Sequence, residues 1–352
     1  MMAIDGPGMF IYIVLLIAIA VSGLAAPLAM WITRRTGIVS FTSDQSETSR
    51  GSSVPLAGGI TLFIALAVLS IVFKFWSDAQ FSRILIGALI IFLSGLLEDA
   101  HSSFRIPKIL AQLAAGAALI LSGSYIHFFK SFSLLADSSA GIYQVFDFAV
   151  TLVWVIVVTN MINLVDTMDG LSISLSTITF GFLAVGFLMS NQLLMAQFVL
   201  CLFGICTVLL FWNVLPARLY LGNSGSLMLG YLLSIFAILY TPQTQSVIAS
   251  TFLPVLLVGV PVFDTLLVMV SRMRRQLPVF KPQADHINHR LIRMGLDDGR
   301  AVLLIVFTAF VLDCVAFAAL SLPSKYGYMI FAGYLLAGSG LFFYLDRRSF
   351  WA

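Results

Sequence analysis

Eleven apolar stretches, most of them about twenty residues long, run through this chain of 352, near 9–33, 56–76, 82–97, 109–129, 147–165, 170–189, 193–213, 224–240, 247–270, 301–321 and 327–345. A helix needs about 20 such residues to cross the hydrocarbon of a bilayer. The spacing therefore predicts an all-α integral membrane protein of about eleven transmembrane helices, with the short third stretch tilted or partly buried in the bundle. Composition agrees, since 60% of residues are hydrophobic, only 10% are charged, and mean hydropathy is +1.03. No soluble domain hides that much apolar surface, so residues 1–352 are expected to form a single polytopic membrane domain.

The first stretch lacks a basic leading region and outruns a secretory apolar core, so it reads as a retained helix. Cys201, Cys206 and Cys314 all fall inside spans, where thiols behave as small hydrophobes, and they suggest neither a disulfide nor a zinc framework. With the N-terminus outside and the C-terminus cytoplasmic, only Lys74, Arg83, Lys130 and Lys325 of the nineteen Lys and Arg lie outside. That bias sets the expected orientation.

Polar residues gather at the inner ends of the spans, in 34–59, 98–112, 160–172, 213–226 and 264–295, while the outer loop at 130–146 carries no evident chemistry. This pattern predicts an active site at the cytoplasmic membrane surface, and no nucleic acid is expected as a partner. Adjacent Glu98 and Asp99 precede Arg105 and Lys108, with Gln112 one turn beyond. Such carboxylates act as general bases or hold a divalent cation, or else form a solvated helix end balanced by nearby cations. Asn160, Asn163, Asp166 and Asp169 recur every third residue, which at helical pitch places them on one stripe. Interhelical hydrogen bonding explains the Asn residues. Two carboxylates in apolar flanks are costly unless they bind something.

Gly222 and Gly225 allow close backbone approach just before a helix beginning near Ser224 to Ser226. The N–H groups at such a start suit a diphosphate, although a plain turn with a serine cap reads the same. Asp264 lies at depth, and a basic loop follows with Asp285, His286, Asn288, His289 and Arg290. Residues 271–300 are expected to form a cytoplasmic loop that recognises sugar and diphosphate. Headgroup binding explains its arginines but not its histidines.

These four clusters, in this order, resemble the polyprenyl-phosphate N-acetylhexosamine-1-phosphate transferases of the glycosyltransferase 4 family, in its undecaprenyl-phosphate GlcNAc-1-phosphate branch. The likeness runs from VPLAGGI at 54–60 through NMINLVDTMDGL and FWNVLPARLYLGNSGSLMLG to HINHRL. It implies transfer of a sugar 1-phosphate from a UDP-N-acetylhexosamine to undecaprenyl phosphate in the bacterial inner membrane. UMP is released, and the step starts O-antigen or another surface polysaccharide.

The resemblance further implies Mg²⁺ (or Mn²⁺ in its place) on Asn163 and Asn223, and a homodimer. Glu98, Asp99, Lys108, Asp166 and Asp169 take catalytic roles. Substrate-binding roles go to Asn160, Arg218, Gly222, Ser226, Asp264, His286, Asn288, His289 and Arg290. HINH is nearer the GlcNAc-type pattern than that of the muramoyl-pentapeptide branch, which disfavours a peptide-bearing donor.

Three positions depart from the family pattern, namely Glu98 for Asp, Thr167 for Gly and Asn223 for Asp. An amide at 223 keeps an oxygen ligand but loses the charge that holds a hard cation. Three readings stay open: an engineered change that traps substrate, a natural variant with weakened metal binding, and a divergent member relying on another carboxylate. A catalytically silent homologue that binds lipid or nucleotide sugar is the alternative function. A glycolipid transporter fits less well, because only Asp313 and Asp264 approach mid-span and the chain shows no internal repeat.

Overall fold

A computed structural model describes residues 7–41, 53–100, 105–127, 140–240, 253–278, 285–320 and 322–347. The chain is all-helical apart from a small antiparallel pair, β1 (Val39–Phe41) and β2 (Ser53–Pro55), which the apolar pattern does not announce. The helices are α1 (Pro7–Thr36), α2 (Gly58–Val72), α3 (Ala79–Ala100), α4 (Arg105–Leu121), α5 (Ala140–Val165), α6 (Leu171–Met189), α7 (Leu193–Asn213) and α8 (Gly222–Leu239). A helical turn at 253–257 precedes α9 (Gly259–Arg274), followed by α10 (Ile287–Arg293), α11 (Asp298–Leu320) and α12 (Ser324–Leu345).

Each expected span meets a helix, and eight of these helices are long and apolar enough to cross a membrane. The third span is not short, because α3 extends to 22 residues. Polar Gln80, Arg83, Glu98 and Asp99 at its ends hide that length from a hydropathy reading. The shorter helices are α2, α4 and α9, with 15, 17 and 16 residues. The expected span 247–270 lies partly outside the described residues, and its remainder breaks at Val258 before α9 begins. The loop at 130–146 also lies outside them up to residue 139, as do Arg50 and Lys281.

Helix α8 is the axis of the bundle. It carries apolar side chains on every face, as a fully surrounded helix does, and packs against α2, α3, α5 and α6. At the far end from its polar start, Phe198 stacks among Phe75, Phe81 and Phe236, with ring centroids 4.8, 5.0 and 5.2 Å away. Peripheral α12 instead shows large apolar side chains such as Leu336 and Phe343, which suits a lipid-facing helix. Cys201 and Cys206 are buried and free, as expected, whereas free Cys314 is exposed on α11. Asp313 is buried against neighbouring helices and accepts the Thr179 hydroxyl at 3.3 Å.

Candidate active site

The polar clusters meet at one end of the bundle, because the C-terminal ends of α3, α5 and α7 abut the N-terminal ends of α2, α6 and α8. A cavity of about 470 Å³ opens there, and Asp99, Asn163, Asp166, Asp169, Asn223 and Ser226 all line it.

Its organising contact joins α3 to the start of α8. Asp99 Oδ1 accepts the Asn223 N–H at 2.7 Å, while Oδ2 accepts the Ser224 N–H at 3.0 Å and the Ser224 hydroxyl at 2.7 Å. No side chain of α8's own flank caps it, so Asp99 caps it from another helix. This corrects the expectation that these N–H groups await a diphosphate, since a carboxylate already holds them. Gly222 makes the approach feasible. Its φ is +69°, and an added Cβ would stand 2.7 Å from Asp99 Oδ2.

The VPLAGGI segment supports the same turn. The Gly58 and Gly59 N–H groups donate to the carbonyls of Tyr220 and Leu221 at 2.9 and 3.0 Å, and Tyr220 N–H donates to Pro55 O at 3.0 Å. At Gly59 a Cβ would lie 2.2 Å from Ser224 Oγ, so only glycine lets α2 pass this close.

A polar relay runs behind the cavity. Lys108 pairs with Glu98 at 3.5 Å and donates to Asn163 Oδ1 at 3.0 Å. The Asn163 amide nitrogen donates to Asn223 Oδ1 at 3.0 Å and to Ser226 Oγ at 2.8 Å. Asn223 also hydrogen-bonds the Asp99 carboxylate through its side chain. A neutral amide therefore bridges Asp99 and Asn163 where an aspartate would face another carboxylate.

The expected stripe of four polar residues is only half helical. Helix α5 stops at Val165, and Asp166 and Asp169 occupy the turn that Gly170 closes with φ +77°. Asn160 points instead to Gln112 on α4, at 3.0 Å, and does not line the cavity. Interhelical bonding is its observed role.

Asp169 Oδ2 accepts the Ala217 N–H at 2.9 Å and so straps the 214–221 loop. Asn213, which the sequence reading did not single out, accepts from Gly170 N–H at 2.8 Å and donates to Leu219 O at 2.7 Å. Its signal was the asparagine that ends the largely apolar run of α7. Among the described residues, the charges acting on Asp166 are those of Asp99 and Asp169. Burial foremost, then the carboxylates of Asp99 and Asp169, raise its pKa from 3.8 to about 7.

The histidine loop forms a second tier. Asp264 Oδ2 accepts from His286 Nδ1 at 2.7 Å, and Oδ1 accepts the Ile287 N–H at 2.7 Å. Asp264 thus caps α10 and orients His286, leaving its Nε2 for other partners. Asn288 donates to the Thr167 hydroxyl at 3.0 Å, joining this tier to the Asp166 turn. Thr167 gives a contact that the family glycine lacks. Half-buried His289 has its pKa lowered, by burial first and then by His286 and Arg293.

Arg290 is fully buried. It donates to the carbonyls of Asp285 and Leu345 at 2.9 and 3.0 Å, and burial lowers its pKa to about 10. It ties the loop to the end of α12 rather than lining the cavity. The Arg272–Asp285 pair, 2.6 Å apart and buried, stiffens the same loop. Arg218 also lies off this cavity, on the opposite side of the 214–221 loop.

An all-helical membrane protein with carboxylates, amides and an oriented histidine converging at one end is the class that this fold and site define. The matched sequence narrows that class to an enzyme family. Residues 81–241 match the profile of Glycosyl transferase family 4. It is similar over 304 residues, at 29% identity, to a Bacillus subtilis (strain 168) protein named "Probable undecaprenyl-phosphate N-acetylglucosaminyl 1-phosphate transferase", covering 86% of this chain and 84% of the relative. A decaprenyl-phosphate N-acetylglucosaminephosphotransferase of Mycobacterium leprae (strain TN) is 27% identical, covering 84% of this chain and 80% of the relative. An undecaprenyl-phosphate alpha-N-acetylglucosaminyl 1-phosphate transferase of Yersinia pestis is 24% identical, with 81% and 78% covered.

Proposed function

We propose that the protein transfers N-acetylhexosamine 1-phosphate from a UDP-sugar to undecaprenyl phosphate, releasing UMP and starting a surface polysaccharide such as O-antigen. The observation that carries this reading is the cavity at the polar end of the bundle, where Asp99, Asn163, Asp166, Asn223 and Ser226 converge. The names of the relatives agree with it. The reading includes eleven spans, a cytoplasmic site and residence in the bacterial inner membrane, which the distribution of Lys and Arg supports.

The donor set fits a hard divalent cation such as Mg²⁺. Among the described residues no group of three or more His, Cys, Asp or Glu forms a chelate. Asp166 nonetheless offers a carboxylate to the cavity, while the Asn223 oxygen beside it already accepts from the Asn163 amide. Mg²⁺ commonly binds through one or two carboxylates and takes its other oxygens from water and substrate phosphates. Asp166 suits this better than Asn163, whose oxygen is held by Lys108. When bound, Mg²⁺ supplies charge neutralisation for a diphosphate.

The chain's own residues do the rest. Asp99 acts as a positioning residue, since three donors occupy its oxygens. Asp169 and Asn213 hold the loop that walls the cavity, and His286 presents Nε2 to substrate oxygens. Asn223 removes one negative charge from the cavity, so weakened metal retention belongs to this reading.

UMP release from a panel of UDP-N-acetylhexosamines with undecaprenyl phosphate and Mg²⁺ tests it, comparing the protein with Asn223→Asp. The Asp form is expected to reach half-maximal rate at about tenfold lower Mg²⁺, a gain typical of one charged ligand contact. UDP-sugar binding without turnover in either form would favour the silent homologue.

A further inference from the structure

A second cavity, of about 650 Å³, lies on the other side of the 214–221 loop from the first. It is bounded by the end of α1, by β2 and by that loop. Arg34, Arg35 and Arg218 line it, with Met30, Trp31 and Trp212 as its apolar wall. Some other arginines sit on carboxylates, as Arg272 does on Asp285, Arg274 on Asp346 and Arg300 on Asp297. Among the described residues no carboxylate lies within ion-pair distance of Arg34, Arg35 or Arg218. Arg35 is instead held over the Trp31 ring, with its guanidinium carbon 4.4 Å from the ring centroid.

Three cations without matching anions among the described residues call for a multivalent anion, and guanidinium forks suit phosphate oxygens. The apolar wall selects among phosphates. Tryptophan beside arginine at a helix end is the environment of a lipid headgroup region, with the ring against glycerol and acyl carbons and the cation against phosphate. The exposed flanks of α1 and α7 continue that apolar surface through Leu24, Leu28 and Phe211. A soluble phosphate would have no use for them.

We propose that this cavity binds the phosphate headgroup of an anionic phospholipid and thereby braces the wall of the first cavity. The two sites share backbone. Ala217 lines the second cavity while its N–H holds Asp169 in the first, at 2.9 Å. Pro55 lines the second while its carbonyl accepts from Tyr220, which lines the first, at 3.0 Å. A headgroup on Arg218 stiffens the chain between these two hydrogen bonds.

The test uses the full chain in nanodiscs, with native mass spectrometry counting retained phosphatidylglycerol against phosphatidylcholine. The wild type is expected to prefer phosphatidylglycerol. The Arg34→Gln/Arg35→Gln/Arg218→Gln variant is expected to lose on the order of 100-fold in that preference, at roughly one surface cation's attraction per arginine. A Lys triple variant keeps most of it. Should the Gln triple variant fail to fold, Arg34→Gln alone is expected to lose about fivefold by the same reckoning. Brominated phosphatidylglycerol is expected to quench tryptophan fluorescence in the wild type, and less in Trp31→Phe/Trp212→Phe. Equal retention by the wild type and the Gln variants overturns the proposal. So does complete displacement of phosphatidylglycerol by millimolar inorganic phosphate, which would make this a soluble-anion site.

Discussion

The two cavities at the polar end of the bundle share one loop and are built from opposite charges. The first holds carboxylates and amides whose hydrogen bonds stay within the site, with the cation Lys108 behind Asn163. The second holds three arginines with no carboxylate in ion-pair range among the described residues. The first is a surface already committed, where most donors and acceptors are taken and Asp166 faces the like charges of Asp99 and Asp169. The second is an open electrostatic demand. Mutual hydrogen bonding fixes geometry for chemistry, whereas uncompensated charge attracts a mobile anion.

The largest expected effect comes from removing the contact that defines the first cavity. Asp99→Ala strands two backbone N–H groups and a serine hydroxyl at the start of α8. A loss of about 3–5 kcal/mol in stability is expected, together with loss of transfer. Thermal unfolding and UMP release measure both. Phosphatidylglycerol preference should survive in whatever fraction stays folded. If it disappears there, the two cavities are not separable.

Asp169→Ala should act on both cavities at once, because it frees the shared loop at Ala217. A charge-assisted hydrogen bond is worth about 1.5–3 kcal/mol, so a loss of about tenfold or more in UDP-sugar affinity is expected. Backbone hydrogen exchange at 217–220 should quicken in the same variant. An effect confined to the first cavity would show that the second braces the loop without help.

A third effect is one of pH. In the metal-free protein Asp166 titrates at about 7, against an ordinary 3.8, because burial and two carboxylates favour its protonated form. The folded chain therefore holds a proton that the unfolded chain releases between these values. Stability should fall as pH rises from about 4 to about 7 and level off above, with Mg²⁺ binding strengthening over the same window. Asp166→Asn should flatten that part of the melting profile. Arginines stay charged throughout, so lipid preference should not follow it.

Much of the site was legible because its motifs are local. The segment 54–60, the turn after Asn163, the glycines around Asn223 and the HINH loop each announce a tight approach or a polar cluster by residue type alone. What each residue touches was less so. Asn160 shares the three-residue spacing of Asn163 yet turns to Gln112, because the direction of a side chain depends on which helix packs beside it. Arg290 reads as a phosphate ligand beside two histidines, but the end of α12, some fifty residues away in the chain, closes over it.

By itself the sequence determined that this is a membrane bundle and where most of its helices and polar clusters lie, because apolar length and residue chemistry are properties of short segments. Tertiary structure alone decided that Asp99 caps α8 and that Asp166 stands among like charges. It also decided that Arg218 belongs with Arg34 and Arg35 rather than with the carboxylates. Those outcomes depend on contacts between segments distant in the chain, and no local pattern encodes the partner.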